Sequence, residues 1–134
     1  MTMSLRFDPA SFVRAALLFV VLVLLATFGR NLGWVRSFLG DVLAVGWVFY
    51  AIRAFVKARA CSIAAIAFAI GVAVELVQLL LTSFDVQIPN RILRIVFGAT
   101  PDWWDILAYA MGAALVLGVN LLSSAREREI QGKS

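Results

Sequence analysis

The sequence contains no histidine, one cysteine, three prolines and few charges: 15% of its 134 residues are Asp, Glu, Lys or Arg, against about 25% in an ordinary soluble domain. Without histidine, Ser/His/Asp and Cys/His nucleophilic schemes, histidine general bases and the usual zinc sites are excluded. Cys61 alone permits no internal disulfide and reads as a small apolar packing residue. No cofactor motif and no metal-ligand set stands out. What the chain has in excess is apolar surface. Hydrophobic residues make up 63% of it and the mean hydropathy is +0.94, too much for a globule of this size to hide from water. Lipid is the solvent that fits.

Charges and turn formers cut the chain into four apolar stretches, about 12–28, 39–56, 60–81 and 103–122. Each approaches the roughly 20 residues that a helix needs to cross about 30 Å of hydrocarbon. Open strands would leave backbone groups unpaired in lipid, and no stretch alternates as a barrel strand does. The fold class is therefore all-α: a polytopic membrane protein whose 134 residues form a single four-helix domain. The first stretch reads as an uncleaved signal anchor, because no small-x-small cleavage site precedes Arg30 and three further spans follow.

Lys and Arg set the expected orientation. With a cytoplasmic N-terminus, eight basic residues fall inside (Arg6 and Arg14; Arg53, Lys57 and Arg59; Arg126, Arg128 and Lys133) and four outside (Arg30, Arg36, Arg91 and Arg94). Both termini are thus expected in the cytoplasm, with 123–134 as a solvated tail. The net charge of +4 is explained as topology, and no basic stripe with stacking aromatics suggests nucleic acid.

About twenty residues join the third and fourth spans. Asn90 to Phe97, between Pro89 and Gly98, has the pattern of a short interfacial helix with a capping residue in front. Thr100-Pro101-Asp102 has the pattern of a helix start. Trp103, Trp104 and, in the first outer loop, Trp34 suit an aromatic belt.

On this topology the residues that lipid should exclude meet at one level. Arg30 ends the first helix on the outer side, and Asp41 and Asp105 open the second and fourth there. Glu75 lies about 22 Å up the third helix at 1.5 Å per residue, with Gln78 a turn further out and Tyr109 at about the level of Glu75. Ala67, Gly71 and Glu75 repeat at i, i+4, i+8, so small residues that permit close helix approach share a face with the polar pair. A carboxylate at the bilayer centre costs about 2.5–3.5 kcal/mol on insertion scales, so such groups face inward and find partners. Arg30, Arg91 and Arg94 are the available cations. The expected ligand-binding set is Arg30, Asp41, Glu75, Gln78, Arg91, Arg94, Asp105 and Tyr109. The bland reading is that Asp41 and Asp105 form interfacial ion pairs with these arginines. Tyr50, Trp47 and Asn120 read as packing or interface anchors, and the inner halves of the helices show no comparable cluster.

These residues also carry a resemblance. Arg30, Gly40-Asp41, Val74-Glu75-Leu76-Val77-Gln78, Gly98 and Trp104-Asp105-Ile106-Leu107-Ala108-Tyr109 with Gly112 resemble small bacterial inner-membrane proteins of unknown function related to the VanZ-like proteins, over roughly Phe12 to Leu122. VanZ-like sequences place asparagine four residues after the last-helix aspartate; here Tyr109 stands there, without the amide's paired donor and acceptor. The resemblance implies the bacterial inner membrane, a cell-envelope context and a tie to teicoplanin-type antibiotic resistance. The expected function is an outward-facing polar pocket binding a membrane lipid or lipid-linked envelope intermediate, with a second copy of the chain as a further candidate partner. Two alternatives stand beside it. One is a hydrolase or transferase working through paired carboxylates, with or without Mg²⁺ on Asp41 and Asp105. The other is a non-catalytic scaffold subunit.

Overall fold

The computed structural model describes residues 3–92 and 103–133, with Arg30 described through its backbone alone. Its elements are β1 (Ser4–Leu5), α1 (Pro9–Phe28), a 3-10 turn (Arg30–Leu32), α2 (Trp34–Phe55), β2 (Val56–Lys57), α3 (Ala60–Ser83) and α4 (Trp103–Gly132). Four helices are long and apolar enough to cross a membrane. The expected short helix between the third and fourth spans falls mostly on 93–102, outside the described residues. At its start the backbone N–H of Ile92 donates to Asn90 Oδ1 at 2.9 Å.

Local chemistry explains the helix limits. Asp8 precedes α1 with extended backbone, and Pro9 takes the first helical position, where its missing N–H and fixed φ cost nothing. Gly33 separates the 3-10 turn from α2 at φ 56°, ψ −121°, a conformation for which a side chain is poorly suited. α3 stops in a Schellman arrangement. Asp85 is left-handed at φ 53°, its N–H reaches Thr82 O at 3.2 Å, and Val86 N–H reaches Leu81 O at 3.0 Å.

Two limits differ from the sequence reading. Trp34, expected in an outer loop, is the first residue of α2, where it stacks on Phe38 at 5.2 Å and meets Trp104 edge-on at 5.9 Å. α4 runs 30 residues to Gly132, so the expected solvated tail continues the helix; Lys133 pairs with Glu129 at 3.1 Å. At 1.5 Å per residue that is about 45 Å, longer than a bilayer core.

α2 is the central helix. It packs on α1, α3 and α4, whereas α1 packs chiefly on α2, and α3 packs on α2 and α4. The first three helices alternate in direction, and α4 runs parallel to α2, with Gly46 level with Val116 and Arg53 level with Asn120. The core draws Val45 and Phe49 from α2, Ile63, Ala64 and Ala67 from α3, and Tyr109 and Val116 from α4. Only 11% of the apolar window of α1 is buried, so most of its Val, Leu and Phe face outward. In water that would be a large apolar patch; against acyl chains it is matched surface.

The end of the bundle opposite the acids carries polar contacts of its own. Arg53 Nη1 donates to Asn120 Oδ1 between α2 and α4, and the Arg53 guanidinium lies 5.9 Å from the Phe49 ring centre. At the same end Arg6 N–H donates to Phe55 O at 2.9 Å and Asp8 N–H to Ala54 O at 2.7 Å, binding the N-terminal segment to the end of α2. Ser11, fully buried, donates from its hydroxyl to Asp8 Oδ2 at 2.6 Å. That bond, aided by the Ala10 N–H and by Arg6 and Arg53, holds the Asp8 carboxyl below its ordinary 3.8 against partial desolvation.

Two expectations follow. A Cβ on Gly112 would stand 2.6 Å from the Val42 carbonyl oxygen, whereas one on Gly118 meets nothing within 4 Å. Gly112→Ala is therefore expected to cost about 1–3 kcal/mol by forcing α4 off α2, and Gly118→Ala to be neutral or stabilising by up to about 1 kcal/mol; thermal unfolding in detergent distinguishes them. Because the folded pKa of Asp8 is depressed, its stabilising contribution is complete above pH 3.8 and fades as pH falls through the folded value. Ser11→Ala should raise the Asp8 titration midpoint toward 3.8, readable by carboxyl NMR.

Candidate functional site

The sequence places acids on three helices at one end of the bundle, and packing brings them together. Asp41 lies in the second turn of α2, half-buried, and Asp105 in the first turn of α4, also half-buried. Their side chains lie close enough to interact, and Asp41 is within electrostatic reach of Glu75.

Glu75 and Gln78 are 6% and 5% exposed, on the face of α3 that also carries Ala67 and Gly71. Tyr109, one turn beyond Asp105 on α4, donates from its hydroxyl to Glu75 Oε1 at 3.2 Å. Gly71 permits this bond. The Tyr109 ring lies flat against its backbone, and a Cβ there would stand 2.9 Å from the ring carbons. The small-residue stripe read from the sequence thus seats the phenol that reaches the buried acid.

Beside this cluster lies a cavity of about 830 Å³. Asp41, Glu75, Gln78, Asp105 and Tyr109 line one end of it; Phe19, Leu22, Leu25, Val48, Ile70 and Val74 are among the apolar side chains along the rest. Its position follows from the packing: α1 and α3 form opposite walls over α2. From Trp34 to Val48 the cavity follows α2 for about 21 Å at 1.5 Å per residue.

Five of the eight sequence-derived site residues therefore share one cavity. Arg91 is exposed and does not line it. Arg94 and the Arg30 side chain lie outside what the structure describes, although the Arg30 backbone caps the same end of the bundle. Among the described residues, the cation that does line the cavity is Arg36, half-buried on the first turn of α2. Sequence reasoning missed it by treating 34–38 as loop. The signal was present: Trp34 with Phe38 and Val35 with Leu39 repeat at i, i+4, extending the helical pattern of α2 back to Gly33. Among the described residues, no group of three or more acidic or thiol side chains has the arrangement of a metal site.

The fold and cavity define a class: a four-helix protein built for a membrane, with carboxyl groups from three helices at one end of an otherwise apolar hollow. Within that class the chain belongs to the family described as "Protein of unknown function (DUF2809)", whose model matches residues 30–113. All eight candidate residues fall inside the matched stretch; β1 and α1 fall before it. The family shown is an uncharacterised one. No curated protein and no solved structure matches the chain.

The Tyr109–Glu75 bond is measurable. Tyr109→Phe and Glu75→Gln should be non-additive in thermal stability, with a coupling of about 1–2 kcal/mol for a buried bond to an acid. Gly71→Ala should displace the ring and abolish most of that coupling.

Proposed function

We propose that this protein is an integral membrane protein whose cavity binds an amphipathic lipid or lipid-linked envelope intermediate, the polar head among the acids and an acyl chain along the apolar walls. The observation that carries this reading is the mixed lining of the cavity: Asp41, Glu75, Gln78, Asp105 and Tyr109 with Arg36 and Ser37, and aliphatic and aromatic side chains from α1, α2 and α3 beside them. A soluble metabolite would have little use for the apolar wall that runs about 10 Å along α2 beyond Asp41 at 1.5 Å per residue, and a lone acyl chain would have none for three carboxyl groups.

The carboxyls accept hydrogen bonds from hydroxyl or amine groups of the head, and Arg36 offers a planar donor to a phosphate or carboxylate. Arg30, Arg91 and Arg94 are assigned, on sequence position, to the same head group from the loops. Cytoplasmic termini and an outward-facing cavity are part of the proposal and rest on the Lys/Arg distribution; the bacterial inner membrane rests on the family resemblance. The VanZ-like kinship, with its antibiotic-resistance context, rests on the resemblance of the motifs alone.

A second reading is favoured by one observation, the close approach of the Asp41 and Asp105 side chains. Carboxyl pairs of this kind divide acid and base roles between them, so cleavage or transfer of a group on the bound head is the alternative activity.

Lipid extraction from the purified full chain tests the first reading. The wild type should retain a lipid with a hydroxyl- or amine-bearing head, and Glu75→Gln or Asp105→Asn should lower its occupancy about tenfold or more at unchanged protein abundance. Equal occupancy in all three proteins would overturn it. Conversion of the retained lipid by wild type but not by Asp105→Asn would move the assignment to catalysis.

A further inference from the structure

The end of the bundle opposite the cavity carries a different arrangement. The segment before α1 folds back on the end of α2, with Ser4 paired to Lys57 and Leu5 to Val56 in an antiparallel ribbon. Arg6, two residues beyond Ser4, lies diagonally across from Lys57 on the same face of that ribbon. Its N–H donates to Phe55 O, which fixes its position along α2. Next to the ribbon three phenylalanine rings pack on one another, Phe7 at 5.7 Å from both Phe12 and Phe55, and Phe12 at 6.3 Å from Phe55. Rings so partnered would form a core in a soluble protein, yet these are 55%, 48% and 51% exposed.

The segments that carry this apolar cluster are mainly basic. Residues 3–18 and 50–66 hold Arg6, Arg14, Arg53, Lys57 and Arg59, with Asp8 as the sole acid. Two of the cations are held by aromatic faces, Arg14 at 5.6 Å over Tyr50 and Arg53 at 5.9 Å over Phe49. Arg6, Lys57 and Arg59 remain exposed. A count of basic residues suffices to orient a membrane protein and needs no particular geometry. Here the backbone ribbon sets two of them side by side above a half-open aromatic cluster.

We propose that this ribbon is a binding surface for an anionic phospholipid: the phosphate head sits among Arg6, Lys57 and Arg59, and the first part of an acyl chain lies against Phe7, Phe12 and Phe55. Charge complementarity selects the head, and the exposed rings select a lipid over a free phosphate. Each Lys or Arg near such a head strengthens binding several-fold. The surface is separate from the acid-lined cavity and its test does not depend on the cavity's ligand.

The experiment uses the full chain, stripped of lipid in a neutral detergent and titrated with phosphatidylglycerol or phosphatidylcholine, the bound molecules counted by native mass spectrometry. Phosphatidylglycerol should be favoured about fivefold or more. Arg6→Gln combined with Lys57→Gln should bring the two lipids to parity, Arg6→Lys combined with Lys57→Arg should keep the preference, and Gly118→Ala, in open space on α4, should leave it unchanged. Excess inorganic phosphate at constant ionic strength should not displace the lipid. If the double Gln variant loses helicity, Arg6→Gln alone supplies the reading, with an intermediate ratio expected. Parity in the wild type, a preference that survives removal of the charges, or displacement by inorganic phosphate would each overturn the assignment.

Discussion

The approach of Asp41 to Asp105, with the hydrogen bond from Tyr109 to Glu75, joins α2 to α4 and α3 to α4 at a depth where unpaired carboxyl groups would be expelled. Everything else at that end is arranged to allow these contacts. Gly112 lets α4 approach the backbone of α2, and Gly71 lets the Tyr109 ring lie on α3. Because α1 takes no part in this network and packs chiefly on α2, it stands apart from α3, and the space between them is the cavity. The acids thus stabilise three helices against one another and define the polar end of the hollow.

The two ends of the bundle differ in charge balance. One gathers three carboxyl groups and a phenol from α2, α3 and α4, with Arg36 beside them. The other gathers five cations from the N-terminal segment, α1, α2, β2 and the α2–α3 junction around Asp8, two of them, Arg14 and Arg53, over aromatic rings, and Arg53 also bonded to Asn120. Buried polar groups in lipid persist when their partners are supplied by neighbouring helices. Arg53 and Asn120 meet that condition at one end as Glu75 and Tyr109 do at the other.

The four helices were legible because hydropathy over some 20 residues is a strong and local signal, and the acid cluster because depth along a helix follows from residue count. What was illegible lacks either property. β1 and β2 are two residues each, too short for any period, and their pairing spans more than fifty residues of chain. Arg53 and Asn120 lie 67 residues apart, and neither is unusual alone. Arg36 was hidden by reading the polar flank of α2 as loop, although lipid-level hydropathy ends before the helix does. The same cause shortened α4, whose charged final turns continue the helix past the apolar part. Arginine partners for Asp41 and Asp105 were inferred from sign alone, and the approach of the two acids to each other needed the packing of α2 on α4.

The central claim is that Asp41 and Asp105 meet side chain to side chain. Two aspartates in side-chain contact can hold their Cα atoms farther apart than the about 7 Å that a disulfide tolerates, so Asp41→Cys with Asp105→Cys in a Cys61→Ser background is treated in native membranes with a short bifunctional thiol reagent. Peptide mass spectrometry should recover the 41–105 cross-link as the dominant product. Two thiols that each carry a separate reagent molecule and stay unlinked, in protein of normal abundance, would contradict the account.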